Sequence, residues 1–193
     1  QTSKNIAVLA PTGVAAVNVR GQTIHSFFAF KPDITPETVQ NIRLRHSQKS
    51  VYKNLDMIVI DEVSMVRADM LDCIDAFLQK YGRYPDLPFG GIQMVFIGDL
   101  FQLPPVVPRS EQNIFRDVYS SPYFFSARSY KSLKLEVLTL DKIYRQEEES
   151  FVKILGAIRN NTLSPAQLNA LNQRYQPDFQ PDPEDFYVYL TTT

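Results

Sequence analysis

The run Met57-Ile58-Val59-Ile60, followed at once by Asp61-Glu62, constrains this chain more than any other stretch. Four apolar residues without polar alternation read as a strand buried on both faces, as in a parallel sheet flanked by helices. Open parallel sheets bind ligands outside the carboxyl ends of their strands, so adjacent acids at that point favour chemistry over packing. One carboxylate can hold Mg2+ through its water shell while the next orients or deprotonates an attacking water, as phosphoryl transfer requires. The alternative is a solvated strand end that carries two acids, and this motif alone does not choose between them.

A second apolar run, Met94-Val95-Phe96-Ile97, ends in Gly98-Asp99-Leu100-Phe101-Gln102-Leu103-Pro104-Pro105. Gly98 is expected to turn the backbone sharply and the paired prolines to stiffen the exit. The Gln102 amide can donate to a phosphate oxygen and accept from a water, which suits a sensor of a terminal phosphate. Upstream, the short strand Ile6-Ala7-Val8-Leu9 leads into Ala10-Pro11-Thr12-Gly13, whose backbone amides and Thr12 hydroxyl can meet a phosphate at a helix start. In Gly21-Gln22-Thr23-Ile24-His25-Ser26-Phe27, the residues alone make His25 and Ser26 helix-start capping and packing groups. Of Phe27, Phe28 and Phe30, at least two are expected in the core, although a ring at a groove edge can stack on a base for about 1–3 kcal/mol.

Taken together these pieces resemble a known family. Asp61-Glu62 and Gly98-Asp99-x-x-Gln102-Leu103-Pro104-Pro105 resemble motifs II and III of the petite-integration-frequency (Pif) family of superfamily 1B DNA helicases, relatives of the RecD helicases. Pro88-Phe89-Gly90-Gly91-Ile92-Gln93 resembles that family's signature element. Ala10 to Ala16 resembles motif Ia, Gly21 to Phe27 the next motif, and Asp141-Lys142-Ile143-Tyr144-Arg145-Gln146 motif IV, while Thr191-Thr192-Thr193 resembles the start of a further one. The resemblance implies an α/β, RecA-like three-layer fold of the P-loop NTPase type with a mostly parallel sheet. It implies ATP and Mg2+ as cofactors, with Asp61 and Glu62 at the metal and Asp61, Glu62, Gln102 and Arg145 as catalytic and nucleotide-binding residues. Arg145 suits a terminal phosphate because a guanidinium stays charged and binds its oxygens bidentately, whereas on its own it reads as a surface ion pair. Pro11, Thr12, Gly13, His25 and Ser26 are implied to touch DNA, which reverses the reading of His25 and Ser26 from the residues alone.

The implied activity is ATP-driven translocation along single-stranded DNA with 5′-to-3′ polarity, unwinding forked duplex in replication, repair, recombination, telomere or genome maintenance. A monomer is expected, in the cytoplasm or nucleoid of a bacterium or the nucleus or mitochondrion of a eukaryote. No Gly-x-x-x-x-Gly-Lys-Ser/Thr occurs, so the loop that would cradle the phosphates is missing and the chain is expected to be cut at both ends. The expected division is a first lobe at 1–134 and the start of a second at 135–193, a piece unable by itself to complete the reaction. Two other classes stay open: a nucleic-acid-binding or scaffold module without turnover, and a RecA-like NTPase that does not act on DNA.

Composition adds limits. The 193 residues suffice for one large domain or somewhat more. Cys73, the one cysteine, cannot form an internal disulfide and has no ligand cluster, so a reducing, intracellular setting without structural zinc is expected. No apolar run approaches the roughly 20 residues that span a bilayer, so a soluble protein without a membrane partner is expected. The net charge is −1, yet from Gln1 to Lys53 the basic residues Lys4, Arg20, Lys31, Arg43, Arg45, Lys49 and Lys53 face only Asp33 and Glu37. Such a bias fits a groove that follows phosphates, or equally a set of solvated faces.

Elsewhere, Met70, Leu71, Ile74, Phe77 and Leu78 recur at helical spacing, with Gly82 expected as a left-handed cap and Asp69, Asp72 and Asp75 as a solvated face. One or two short helices are expected between Lys31 and Lys53, and short ring-packed helices between Arg109 and Tyr130. Leu135 to Leu140 and Phe186 to Leu190 read as strands, Phe151 to Ile158 as a helix, and Ser164-Pro165 as the opening of another.

Overall fold

In the computed structural model, β1 (Ile6–Ala10), β2 (Gln22–Thr23), β3 (Met57–Ile60) and β4 (Gln93–Phe96) form a four-stranded sheet in the order β2-β1-β3-β4, every pairing parallel. The structure describes residues 4–144, 148–182, 184 and 186–190. Both apolar runs become adjacent strands because each lacks a polar residue to turn towards water; in β3, Ile58 and Ile60 are fully buried. Between the strands lie α1 (Gly13–Asn18), α2 (Ile24–Phe28), α3 (Pro36–Val39), α4 (His46–Lys53) and α5 (Ala68–Tyr81). Alternation of strand and helix with parallel pairing is an α/β arrangement, the class to which the expected RecA-like fold belongs.

The core lies where α3 and α4 pack on α5. Phe77, on α5, is its centre: the Phe28 ring meets it at 5.1 Å and 71°, and the Tyr52 ring at 4.8 Å and 75°. Both are edge-to-face contacts, the geometry that aligns ring edges with the electron-rich faces. Phe28 and Phe30 are buried and Phe27 only half-buried, as the core reading of two of the three rings requires. Tyr52 is buried too, and its hydroxyl donates to the Phe27 carbonyl at 2.7 Å, so its polar end is satisfied. Cys73 packs here with no exposed surface, and burial pushes its thiol far above the ordinary range, which makes it a small inert apolar group.

The α5 aspartates are not a solvated face. Asp72 is buried and accepts four hydrogen bonds: from the Tyr119 hydroxyl at 2.9 Å, the Arg128 amide at 3.2 Å, the Ser129 amide at 2.9 Å and the Ser129 hydroxyl at 2.7 Å. It thereby anchors the stretch after α6 (Gln112–Val118), where short 3-10 turns at Phe124–Ser126 and Ser129–Ser132 are packed by rings. Asp75 accepts the Phe89 amide at 2.6 Å and the Gln79 amide at 2.8 Å, and burial raises its carboxyl above the usual range. Asp69 pairs with Arg67 at 2.6 Å.

Gly82 departs from its expected role. Its φ is −73°, not left-handed, and glycine is required there because a Cβ would stand 2.5 Å from the Leu78 carbonyl oxygen. The left-handed residues come later, at Phe89, Gly90 and Gly91, where the backbone reverses and drives the Phe89 ring fully into the core. The stretch that resembles the family signature thus contributes Phe89 to the core of this chain.

The chain divides into two compact units, Gln1–Val137 and Leu138–Thr193. In the second, α7 (Glu149–Arg159) and α8 (Pro165–Asn172) occupy the expected positions, α8 opening on a Ser164 cap with Gln167 reciprocating. Neither Leu135 to Leu140 nor Phe186 to Leu190 forms a strand. The first alternates and the second is a short apolar run, but no neighbour pairs with either among the described residues, and a strand pattern without a hydrogen-bonding partner makes no sheet. Leu140 and Leu190 are accordingly 91% and 92% exposed.

Candidate functional site

Parallel register brings the sequence motifs to one edge of the sheet. Leu9 lies opposite Ile60, Ile60 opposite Phe96, and Ala10 opposite Thr23, so the residues that follow each strand share the carboxyl edge. Pro11–Gly13 follow β1, His25 and Ser26 lie just after β2, Asp61 and Glu62 follow β3, and Gly98 to Gln102 follow β4.

The acid pair sits on a clamped turn. The Asp61 amide donates to the Leu9 carbonyl at 2.9 Å and the Val63 amide to the Ile97 carbonyl at 2.9 Å, which ties the turn to both neighbouring strands. Between these ties Glu62 is left-handed, with φ 52° and ψ 41°. A non-glycine residue there costs on the order of 1–3 kcal/mol and persists only where its surroundings over-determine it. Both acids are half-buried. Next to them, the Ser64 hydroxyl is fully buried and without a hydrogen-bond partner among the described residues.

Gly98 does not turn through a left-handed conformation. It allows a close approach: a Cβ would stand 3.0 Å from Val63 Cγ1, 3.1 Å from the Val63 amide nitrogen and 3.2 Å from that of Ser64. The glycine of one motif thus makes room for the acid turn of the other. Gly98→Ala is expected to cost about 1–3 kcal/mol by overpacking against this turn. Urea denaturation of the 193-residue chain checks this, and an unchanged midpoint would show that the two strand ends are not tightly packed.

Gln102 is exposed and is held by Asp99, a residue not singled out from the sequence. Asp99 Oδ1 accepts the Phe101 amide at 3.0 Å, an Asx-turn, and Oδ2 accepts the Gln102 side-chain amide at 3.3 Å. An aspartate two residues before the amide it accepts is the local signal that marks this role.

On the other half of the edge, Thr12 caps α1, its hydroxyl oxygen accepting the Ala15 amide at 3.3 Å. Its O–H proton stays available to a phosphate oxygen. A Cβ on Gly13 would meet nothing within 4 Å, so the backbone there is open to an incoming group. At α2 the cap is Thr23, which accepts the Ser26 amide at 3.2 Å, so the capping role read for His25 and Ser26 belongs to another residue. Ser26 is exposed and His25 half-buried. Arg145 lies outside the described residues.

Among the described residues no group of three or more His, Cys, Asp or Glu side chains could enclose a metal. Two adjacent carboxylates are instead the kind of donor set Mg2+ uses when phosphates complete its octahedron.

The sequence profile of the PIF1-like helicases matches residues 1–167. The chain belongs to this family. It is 34% identical over 174 residues to the ATP-dependent DNA helicase PIF1 of Emericella nidulans, covering 89% of this chain and 22% of the relative. It is 36% identical over 152 residues to the human ATP-dependent DNA helicase PIF1, covering 78% and 22%. A crystal structure of a Bacteroides Pif1 helicase in complex with ADP-AlF3 and ssDNA superposes with a TM-score of 0.86 at 36% identity, over 95% of this chain and 43% of that one. The PIF1-like segment seen here thus spans about a fifth of the length of these full relatives, and it carries the RecA-like fold of the family's solved structures. No helix among its described residues is long and apolar enough to cross a membrane.

Proposed function

We propose that this chain is part of the motor core of an ATP-dependent DNA helicase that moves 5′ to 3′ on single-stranded DNA and opens forked duplex. The observation that carries the reading is the shared carboxyl edge: acids and a glutamine after β3 and β4, phosphate-directed groups after β1 and β2. Asp61 and Glu62 hold Mg2+ with the phosphates of ATP, Glu62 orients the attacking water, and Gln102 senses the terminal phosphate. Thr12, Gly13 and Pro11, with His25 and Ser26, meet the DNA backbone. By resemblance to motif IV, Arg145 belongs to a second lobe that begins near residue 135 and approaches the terminal phosphate when the motor closes. Since both halves of the edge share β1 and β3 as neighbours, movement at the nucleotide reaches the DNA groups through a single layer of backbone.

His25→Ala and Arg145→Ala should fail differently in a protein that joins this chain to a phosphate loop. His25→Ala is expected to weaken single-strand binding and raise the DNA concentration that stimulates hydrolysis, by about 10-fold and equally for all DNA sequences, because a backbone contact carries no base information. Its DNA-independent hydrolysis persists. Arg145→Ala is expected to bind DNA normally yet never reach the stimulated rate. Anisotropy and steady-state ATPase titrations of both variants read this out. Normal DNA binding by His25→Ala with collapsed basal hydrolysis would move His25 to the nucleotide side and overturn the assignment.

A further inference from the structure

At the opposite edge of the sheet, cations gather without acids. From Gln40 to Lys53 the chain holds Arg43, Arg45, His46, Lys49 and Lys53 and no Asp or Glu. Because α5 returns from the acid turn, its 14 residues carry the chain about 21 Å to the amino ends of the strands, which brings Lys80 and Tyr81 to this basic segment. Lys80 Nζ donates to the carbonyls of Gln40 at 2.5 Å and Ile42 at 3.1 Å, and Arg43 Nη1 donates to the same Gln40 oxygen at 2.8 Å. Two cations on one oxygen cannot be farther apart than those two bonds together. Lys49 and Lys80 also share one ring, their ammonium nitrogens lying 5.8 Å and 5.2 Å from the centre of Tyr81.

Like charges held this close repel, and here only the carbonyl oxygens of Gln40 and Ile42 offset that repulsion, so a phosphate anion would relieve it further. No described carboxylate forms an ion pair with Arg43, Arg45, Lys49, Lys53 or Lys80. Of the acids of the adjoining elements, Asp56 pairs with Arg83 at 3.6 Å, Asp75 accepts the Phe89 amide, and Glu37 is exposed on α3 and forms no ion pair with these cations. Lys49 and Lys53 lie four apart on one face of α4, a rise of about 6 Å along the helix, and Arg45 stands in extended backbone just before its first residue, so the basic run continues past the helix start.

We propose that Arg43, Arg45, Lys49, Lys53 and Lys80 form a second nucleic-acid surface, one that takes the sugar-phosphate backbone of duplex DNA. The duplex form follows from the rings. Tyr52 and Tyr81, the rings among these cations, are only 7% and 6% exposed, so neither can stack on unpaired bases, and the 52% exposed Tyr84 beyond the end of α5 lies over Gly91. A protein partner would need an apolar centre, and Val51 is the single large apolar residue that α4 exposes. The choice of polymer rests on the helicase reading, but the surface stands on its own geometry, separated from the strand-end groups by the length of the sheet. It would hold the parent duplex while the carboxyl edge holds the strand drawn from it.

The test uses the 193-residue chain and fluorescence anisotropy with a blunt duplex of about 20 base pairs, two helical turns, and a single strand of equal length. Lys49→Gln with Lys53→Gln, and separately Arg43→Gln with Lys80→Gln, are expected to weaken duplex binding on the order of 10-fold and to lower the salt slope of log K by about 2, with single-strand affinity unchanged. The first pair lies on exposed or half-exposed α4 positions and makes no hydrogen bond that holds the fold, so an intact thermal transition separates a lost contact from lost structure. Wild-type duplex affinity in both variants, or no duplex binding by the wild type, would overturn the proposal. So would an equal loss for single strands, which would merge this surface with the carboxyl edge. Binding of a polyglutamate peptide in preference to duplex would assign it to an acidic protein instead. If His25→Ala leaves single-strand binding intact while the lysine variants lose duplex, the placement of the single-strand groups fails and this surface stands.

Discussion

Glu62→Gln is expected to keep ATP bound and to lower its hydrolysis about 10²–10⁴-fold, the usual contribution of a positioned general base. The amide has the shape of the carboxylate but cannot take a proton from water. Asp61 remains, and in a protein that also carries the phosphate loop the phosphates and Mg2+ are still held, so binding and turnover separate. The backbone makes this substitution clean. Glu62 is left-handed because the Asp61 and Val63 amides are tied to Leu9 and Ile97, and those ties do not involve its side chain. Fluorescent nucleotide binding and phosphate release, measured on the same preparation, are the readouts. Wild-type hydrolysis in the variant would remove Glu62 from the reaction and leave Asp61 as the essential acid.

Asp72→Ala is expected to cost about 3–5 kcal/mol, a large part of the stability of a domain this size. The side chain is buried and accepts from Tyr119, Arg128 and both donors of Ser129. Its removal leaves every one of these donors facing a cavity, and an orphaned buried donor costs more than the bond it loses. Tyr119→Phe removes one donor together with its need for an acceptor and should cost only about 1–2 kcal/mol. Burial and the Asp72 bond together push the Tyr119 hydroxyl above its ordinary range, which favours its donating form. Urea unfolding of the three chains reads these values; a loss below about 1 kcal/mol for Asp72→Ala would show that the 119–132 segment is held by its rings instead.

The two predictions concern acids that look alike in the sequence. Asp61 and Glu62 stand at the end of an apolar run, and that position, with the second strand end at Gly98 to Gln102 and the family resemblance, pointed to chemistry. Asp72 stands among other acids on an amphipathic helix, where its neighbours made it look solvated. Its partners are 47 to 57 residues away, and no local pattern announces them.

The sequence by itself determined the strands β1, β3 and β4, the helix α5, the cap of α8 and the family, because each rests on spacing and residue type within a short window. An apolar run without polar relief has to be buried wherever the chain takes it, and a Ser-Pro pair opens a helix without help. Tertiary structure alone decided what those elements do to one another. It left Leu135 to Leu140 and Phe186 to Leu190 without strand partners, because a strand pattern marks a segment and only a neighbour supplies the hydrogen bonds. It gave Gly98 a contact role beside Val63 and Ser64 in place of a turn, and it placed Asp99 to hold Gln102. It also carried Lys80 about 40 residues back in sequence to Arg43 and Lys49, since the length of α5 and the parallel direction of the strands fix which ends meet.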